Sequence, residues 1–377
     1  MKKNSVILIG FLPIPRIYKR IEIEKKLFSL HLICWDRGSN MLSVPESDEF
    51  ESHVVRISAG NNPIKRNGPY KEFSKKAMEL LESICPGLIH VQGLDMLKIA
   101  VQYKKKYNSN LKIVYEVADI HRLIADKPKN LFYSIVQKYL IKLDRKLSKD
   151  VDLLIVTSQK HIDSYFGNFI DKSKIMLIPN VPSLSAFENY KKKNIVEPIV
   201  VGYIGSIRYK HQMKLLIEAA DKCNIKLMIA GFEVDSDEIK KLCKSRNNIK
   251  WIGQFDYELQ VAELYGKCDL MYSVYDADME NVRVAIPNKL YESVYCEVPL
   301  IVAKNTYLAE IVEAWGVGVA VDYHSSNELI EFINKVVNDK SILYKYQEQC
   351  KKHKEKTDLE PYNEELNKRL LCMGDNL

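Results

Sequence analysis

The stretch Asp276 to Ala303, DADMENVRVAIPNKLYESVYCEVPLIVA, decides how the rest of the chain is read. It reads as a loop, a short helix and a buried strand. Pro287 suits the first turn of a helix, and Val298-Pro299 ends that helix before the apolar run Leu300 to Ala303. The unpaired N–H groups of such a first turn, with the positive end of the helix dipole, form a site for phosphate. Lys289 and Glu292 stand three residues apart and share a face. A cation for phosphate oxygens therefore lies one turn from a carboxylate able to accept from ribose hydroxyls. Leu290 and Val294 form the opposite, inward face. The plainer alternative is a proline-started helix with ordinary surface charges.

Outward from this stretch, short β-rich apolar runs alternate with amphipathic helical stretches, the signature of an α/β protein with parallel sheets. Strands are expected near 6–9, 31–35, 53–57, 88–91, 112–116, 152–157 and 174–178 in the first half, and near 199–204, 226–230, 249–252, 270–274, 300–303 and 318–321 in the second. Between them, 183–197 loses the pattern: it holds Ser183, Ser185 and a Lys191-Lys192-Lys193 run, and Pro198 follows. The chain thus divides into a Rossmann-like half over 1–182, a linker over 183–197 and a second Rossmann-like half over 198–350. A charged helical tail follows over 351–377. Ligands of such folds bind at the carboxyl ends of the strands.

At 377 residues, 46% of them apolar, the chain can fill two cores. The scattered cysteines form no C-x-x-C pair and no histidine stands at metal-ligand spacing, so they read as reduced thiols of a cytosolic protein and no metal is expected. The start, MKKNSVILIGFLPIPR, lacks a small-residue cleavage site and is broken by prolines; it reads as a first strand rather than a signal. No run approaches the roughly 20 apolar residues of a membrane span. The net charge of +7 suits anionic small molecules or an anionic membrane surface. Nucleic acid is not expected, because no recognised binding signature or aromatic platform accompanies the basic residues. A nicotinamide cofactor is not expected either: Asp36 ends the second strand, but the loop Gly10 to Arg16 lacks G-x-G-x-x-G.

P-N-K-L-Y-E followed by E-V-P-L-I-V resembles the nucleotide-binding segment of GT-B glycosyltransferases, of the family 4 type that builds bacterial surface polysaccharides. The resemblance implies two Rossmann-like domains facing a cleft, with the last helix crossing back to the first domain. It implies a nucleoside diphosphate sugar as donor, UDP-sugar before GDP-sugar, and no cofactor. The acceptor would be a glycan or lipid-linked glycan. It also implies transfer with retention, without a metal, in capsule or O-antigen type synthesis. In that family the glutamate matching Glu292 binds the donor ribose, and Pro287, Asn288, Lys289 and Leu290 belong to the same helix start.

The turn Gly202 to Lys210, GYIGSIRYK, is similar to the family's diphosphate turn, which implies donor contacts from Ser206, Arg208 and Lys210. Gly253, Gln254 and Phe255 resemble the loop around the base. Arg16 is similar to basic residues near the donor phosphates or the acceptor. Asp119, His121 and Glu280 are the candidates for the reacting end of the donor, although the family's histidine before the aspartate is Ala118 here and its upstream glutamate is Val284. Asp276-Ala277-Asp278 spells D-x-D but reads as chance, since cationic side chains already offer the charge a metal would supply.

Leu131 to Lys149, LFYSIVQKYLIKLDRKLSK, carries an apolar stripe opposite lysines and an arginine. It reads either as a core-facing helix with a solvated basic side or as a helix lying at the inner face of a membrane. Two further functions share the architecture: a nucleotide-sugar 2-epimerase, and a non-catalytic nucleotide-sugar-binding partner of another transferase.

Overall fold

In a computed structural model the apolar runs form parallel strands, and the inner ones are buried on both faces as parallel sheets require. The structure describes all residues except 1, 39–43, 45–46, 61–62, 193, 196, 235 and 376–377, and leaves the side chains of 63–65 undescribed. The first strands are β1 (Asn4–Ile9), β2 (Ser29–Asp36), β3 (Glu51–Arg56), β4 (Leu88–Gln92), β5 (Lys112–Val117), β6 (Leu153–Val156) and β7 (Ile175–Leu177). They form one sheet in the order β3-β2-β1-β4-β5-β6-β7. The second set is β8 (Ile199–Ile204), β9 (Ile225–Ala230), β10 (Ile249–Gly253), β11 (Leu270–Ser273), β12 (Leu300–Ala303) and β13 (Gly318–Val321), in the order β10-β9-β8-β11-β12-β13. Helices cover both faces of each sheet: in the first, Val6, Leu8 and Ile33 enter one core while Ile7, Ile9 and Leu32 enter the other.

The chain separates into two compact units, Met1–Pro179 with Glu360–Leu377, and Asn180–Leu359. Within the first, the helix Glu360–Asp375 buries Leu366 and Leu370. It is tied down by Lys3 donating to the Gly374 carbonyl at 2.8 Å and Arg369 to the Ser173 carbonyl at 3.0 Å. Residues 351–359 lie with the second unit. The stretch read as a patternless linker holds one short turn, Leu184–Phe187, whose Phe187 is buried edge-on against Tyr257, Tyr265 and Tyr295. Of that stretch, Lys193 and Val196 lie outside the described residues. Among the described residues no helix is long and apolar enough to cross a membrane.

Candidate functional site

In the second unit, the carboxyl ends of β8, β9 and β10 lie side by side and each ends on a glycine with positive φ: Gly205 at 131°, Gly231 at 145° and Gly253 at 81°. The Gly205 N–H donates to the Ala230 carbonyl at 2.8 Å and the Gly231 N–H to the Gly253 carbonyl at 2.7 Å. A Cβ at Gly231 would lie 1.9 Å from the Gly205 oxygen, so only glycine lets these two turns approach. Into this rim comes Lys289. A Cβ on Gly205 would lie 2.9 Å from its Nζ, and the same ammonium stands 5.9 Å from the centre of the Tyr203 ring. Tyr203 in turn donates to the Ser206 carbonyl at 2.8 Å, bracing the turn.

Lys289 belongs to the helix Asn288–Tyr295, in which Pro287 is the cap rather than the first helical residue, one position earlier in role than the sequence suggests. Leu290 and Val294 are buried, and so is Glu292, because neighbouring elements cover that side of the helix too. The Glu292 carboxylate accepts from the Tyr257 hydroxyl at 2.6 Å and the Tyr265 hydroxyl at 2.8 Å, one on each oxygen. Burial, followed by the Glu292 charge, pushes both phenols well above their ordinary pKa, so they remain donors. Asn288 Oδ1 is buried with no hydrogen-bond partner among the described residues.

The other predicted donor residues divide. Arg208 is exposed and forms no salt bridge among the described residues. Lys210 instead stands 4.0 Å from both Glu233 and Glu238. Gln254 is exposed, and Phe255 packs on the tyrosine cluster. Glu280 opens the helix Glu280–Val284 and is held 3.4 Å from Arg283. Asp276 accepts from the Asp278 N–H at 3.0 Å and Asp278 from the Tyr323 hydroxyl at 3.1 Å, so the D-x-D aspartates shape a turn.

In the first unit, the loop after β5 lines a pocket of about 220 Å³ together with Gln92, Gly93, Asp144 and Phe166. Asp119 and His121 both border it, and Thr157 Oγ1 fixes the loop by donating to the Ala118 carbonyl at 2.8 Å. His121 Nδ1 accepts from the Leu123 N–H at 3.2 Å, capping a short helix. Desolvation lowers its pKa from the ordinary value, against the pull of Asp95, which favours a neutral ring. Arg16 lies within the field of Glu116 and Asp119; burial, the larger effect, lowers its pKa. His161 is buried near Asp119 and Arg16, with neither ring nitrogen hydrogen-bonded among the described residues.

Two buried carboxylates of this pocket were not singled out from the sequence. Glu116 receives Arg20 at 2.9 and 3.1 Å, and His90 stands between Glu116 at 3.2 Å and Glu24 at 2.6 Å. Burial would raise the Glu116 carboxyl, yet Arg20 and His90 hold it well below the carboxylate range. Burial would likewise lower His90, yet Glu24 and Glu116 raise it to about 9. Among the described residues the partners of Asp144 are hydroxyls, Tyr165 at 2.8 Å and Tyr115 and Ser148 at 3.5 Å; burial outweighs them and pushes its carboxyl up to about 6. The signal for the first group is present in the sequence: a histidine and a glutamate inside the apolar runs of β4 and β5, and Arg20 and Glu24 spaced on the face that buries Ile17 and Ile21. Gly231 also closes the apolar run of β9, as a strand-end glycine at a ligand rim does.

Residues 186–357 match the family Glycosyl transferases group 1. A curated relative, the succinoglycan biosynthesis protein ExoL of Rhizobium meliloti (strain 1021), is 24% identical over 251 residues, 63% of this chain and 60% of its own length. The chain therefore spans about 60% of the curated relative that it matches. Among solved structures, sucrose-phosphate synthase from Thermosynechococcus elongatus superposes with a TM-score of 0.73 at 15% identity, over 97% of this chain and 98% of that one. Anabaena Alr3699/HepE in complex with UDP superposes with a TM-score of 0.70 at 15% identity, over 98% of this chain and all of that one. At these identities the structures speak for architecture. The chain has the GT-B fold, two Rossmann-like units with parallel sheets, and its second unit carries the match to glycosyl transferases group 1.

Proposed function

We propose that the chain is a glycosyltransferase of the family 4 type, moving a sugar from a nucleoside diphosphate donor to a glycan or lipid-linked glycan. The observation that carries this reading is the approach of Lys289 Nζ to the Gly205 turn, which sets a cation beside main chain at the carboxyl ends of β8 and β9. Lys289, the start of the helix Asn288–Tyr295 and Arg208 would stabilise the departing diphosphate as charge develops on it. Those cations supply the compensation that a metal gives other transferases. Glu292 would anchor the ribose: each oxygen has one tyrosyl donor, and a carboxylate oxygen can accept a second hydrogen bond. Retention of configuration follows if the acceptor hydroxyl attacks on the face that the diphosphate leaves; Asp119, His121 and Glu280 are the side chains we assign to the reacting sugar. UDP is favoured because HepE is seen with it, and polysaccharide synthesis because ExoL is named for it.

The acceptor side of this reading draws on the helix Leu131–Leu147. Leu131, Phe132, Ile135 and Tyr139 are 78%, 67%, 60% and 62% exposed, so the first half of the predicted stripe does not face the core. Lys138, Lys142, Arg145 and Lys146 are exposed along the same helix. An apolar end beside a row of cations suits the inner surface of an anionic membrane, where lipid-linked acceptors reside.

Calorimetric titration with UDP, GDP and ADP tests the donor site. One nucleoside diphosphate should bind, and Lys289→Ala should weaken it tenfold or more, the loss of a charge-assisted contact of about 1.5–3 kcal/mol. Failure of all three to bind would remove the transferase reading. Vesicle co-sedimentation tests the helix: Ile135→Asp should release the chain from anionic vesicles without changing nucleotide affinity.

A further inference from the structure

In the first unit, at the amino ends of β2 and β3, three metal-ligating side chains come together. His31 pairs in register with Glu51, and Ile33 with His53, so His31, Glu51 and His53 project from one face of the sheet at its edge. His31 Nδ1 lies 3.3 Å from His53 Nε2 and 3.3 Å from Glu51 Oε2, and His53 Nε2 lies 3.6 Å from Glu51 Oε1. Metal bonds of about 2.0–2.1 Å at tetrahedral angles separate neighbouring ligand atoms by about 3.3–3.4 Å. The spacing of the three groups is that of three corners of such a site. Both imidazoles are half-buried, their rings stacked with centroids 5.5 Å apart, so their directions are fixed by packing rather than left to solvent.

We propose that His31, Glu51 and His53 bind a single first-row transition ion, with Zn²⁺ as the reference ion, and that water completes the coordination. Imidazole and carboxylate together select Zn²⁺, Cu²⁺ or Ni²⁺ over Mg²⁺ and Ca²⁺. Two ring nitrogens facing each other at 3.3 Å repel unless a proton or a cation lies between them, and the ion removes that conflict while neutralising Glu51. The pocket-lining loop follows the carboxyl end of β5, so this site lies at the opposite ends of the strands. Its role is to clip the edge strand β3 to β2, which raises stability rather than supplying chemistry.

The sequence spacing hid this site because 20 residues of chain separate His31 from Glu51 and only the parallel register joins them.

The test uses the full chain carrying Cys85→Ser and Cys372→Ser, which removes the two exposed thiols that would bind Zn²⁺ adventitiously. After chelation, Zn²⁺ is added back by calorimetric titration, with Tm and the visible absorption of Co²⁺ as independent readouts. One ion should bind per chain and raise Tm by a few degrees, Co²⁺ should show tetrahedral bands, and Mg²⁺ should do neither. His53→Ala should abolish these signals and Glu51→Gln should weaken Zn²⁺ about tenfold. Binding that survives both substitutions, or no binding at micromolar Zn²⁺, overturns the proposal. If His53→Ala does not fold, Glu51→Gln, at an exposed position, decides the question alone.

Discussion

Glu116 and Asp144 border one pocket, are equally shut off from water, and are compensated in opposite ways. Glu116 faces a guanidinium and an imidazolium and stays ionised; Asp144 faces three hydroxyls and rises to about 6. The difference shows what neutral donors can do in this interior: they orient a carboxylate but do not offset the loss of its hydration. Glu292 in the second unit likewise has phenols on both oxygens and, among the described residues, no salt bridge. A carboxylate held that way is fixed in direction while its remaining lone pairs stay available to a hydroxyl-bearing ligand.

The largest effect should come from breaking the cationic side of this contrast. Glu116→Gln leaves Arg20 and His90 buried beside an amide, and should cost about 3–5 kcal/mol in urea unfolding. Arg20→Met with Glu116→Leu should recover much of that loss, since a well-packed apolar pair can replace a buried ion pair. The next effect lies in pH. His90 has a folded pKa of about 9, above its unfolded value, so its contribution is complete below about pH 6.5 and is lost as pH rises through 9. Thermal unfolding from pH 6.5 to 9.5 should show a fall on the order of 3 kcal/mol that Glu116→Gln lessens but does not remove, because Glu24 still faces the ring.

Asp144 should behave in the opposite sense under substitution. Its raised pKa makes it favourable below about pH 4 and costly as pH climbs through 6. Asp144→Asn should therefore stabilise the chain by about 1–3 kcal/mol at pH 8 and by nothing at pH 4. The smallest effect is the sharpest test of the hydroxyl plan. Tyr265→Phe removes one donor from Glu292 and should cost about 1–2 kcal/mol of stability while weakening nucleoside diphosphate binding severalfold. Weakened stability with unchanged nucleotide affinity would show that the tyrosines serve packing alone.

What could be read in advance follows the range of the interactions. The strands were legible because a parallel strand covered on both faces must be a near-continuous apolar run, and each expected run from 6–9 to 318–321 overlaps an observed strand, with ends that differ by two residues at most. The start of the helix at Pro287 was legible to within one residue, since a proline and the Val298-Pro299 stop act locally. Lys289 and the Gly205 turn were named separately, but no local rule says that they meet. The partners of Glu292 are 27 and 35 residues away, and Arg20 is 96 residues from Glu116. Lys210 shows the same limit: the resemblance of its turn marked it for donor contact, and no local rule says that the fold also brings it 4.0 Å from Glu233 and Glu238.

The passage of the chain out of the first unit after Pro179 and back at Glu360 has a consequence for how the protein is made. The helix Glu360–Asp375, which closes on Lys3, Phe28 and Ser173, is synthesised only after the whole of Asn180–Leu359. At ordinary elongation rates that interval is roughly ten to forty seconds. During it the nascent first unit stands at the ribosome with the seat of its last helix uncovered, and the inserted unit is finished before that helix is made. Chaperone demand should therefore concentrate on the part of the chain translated first.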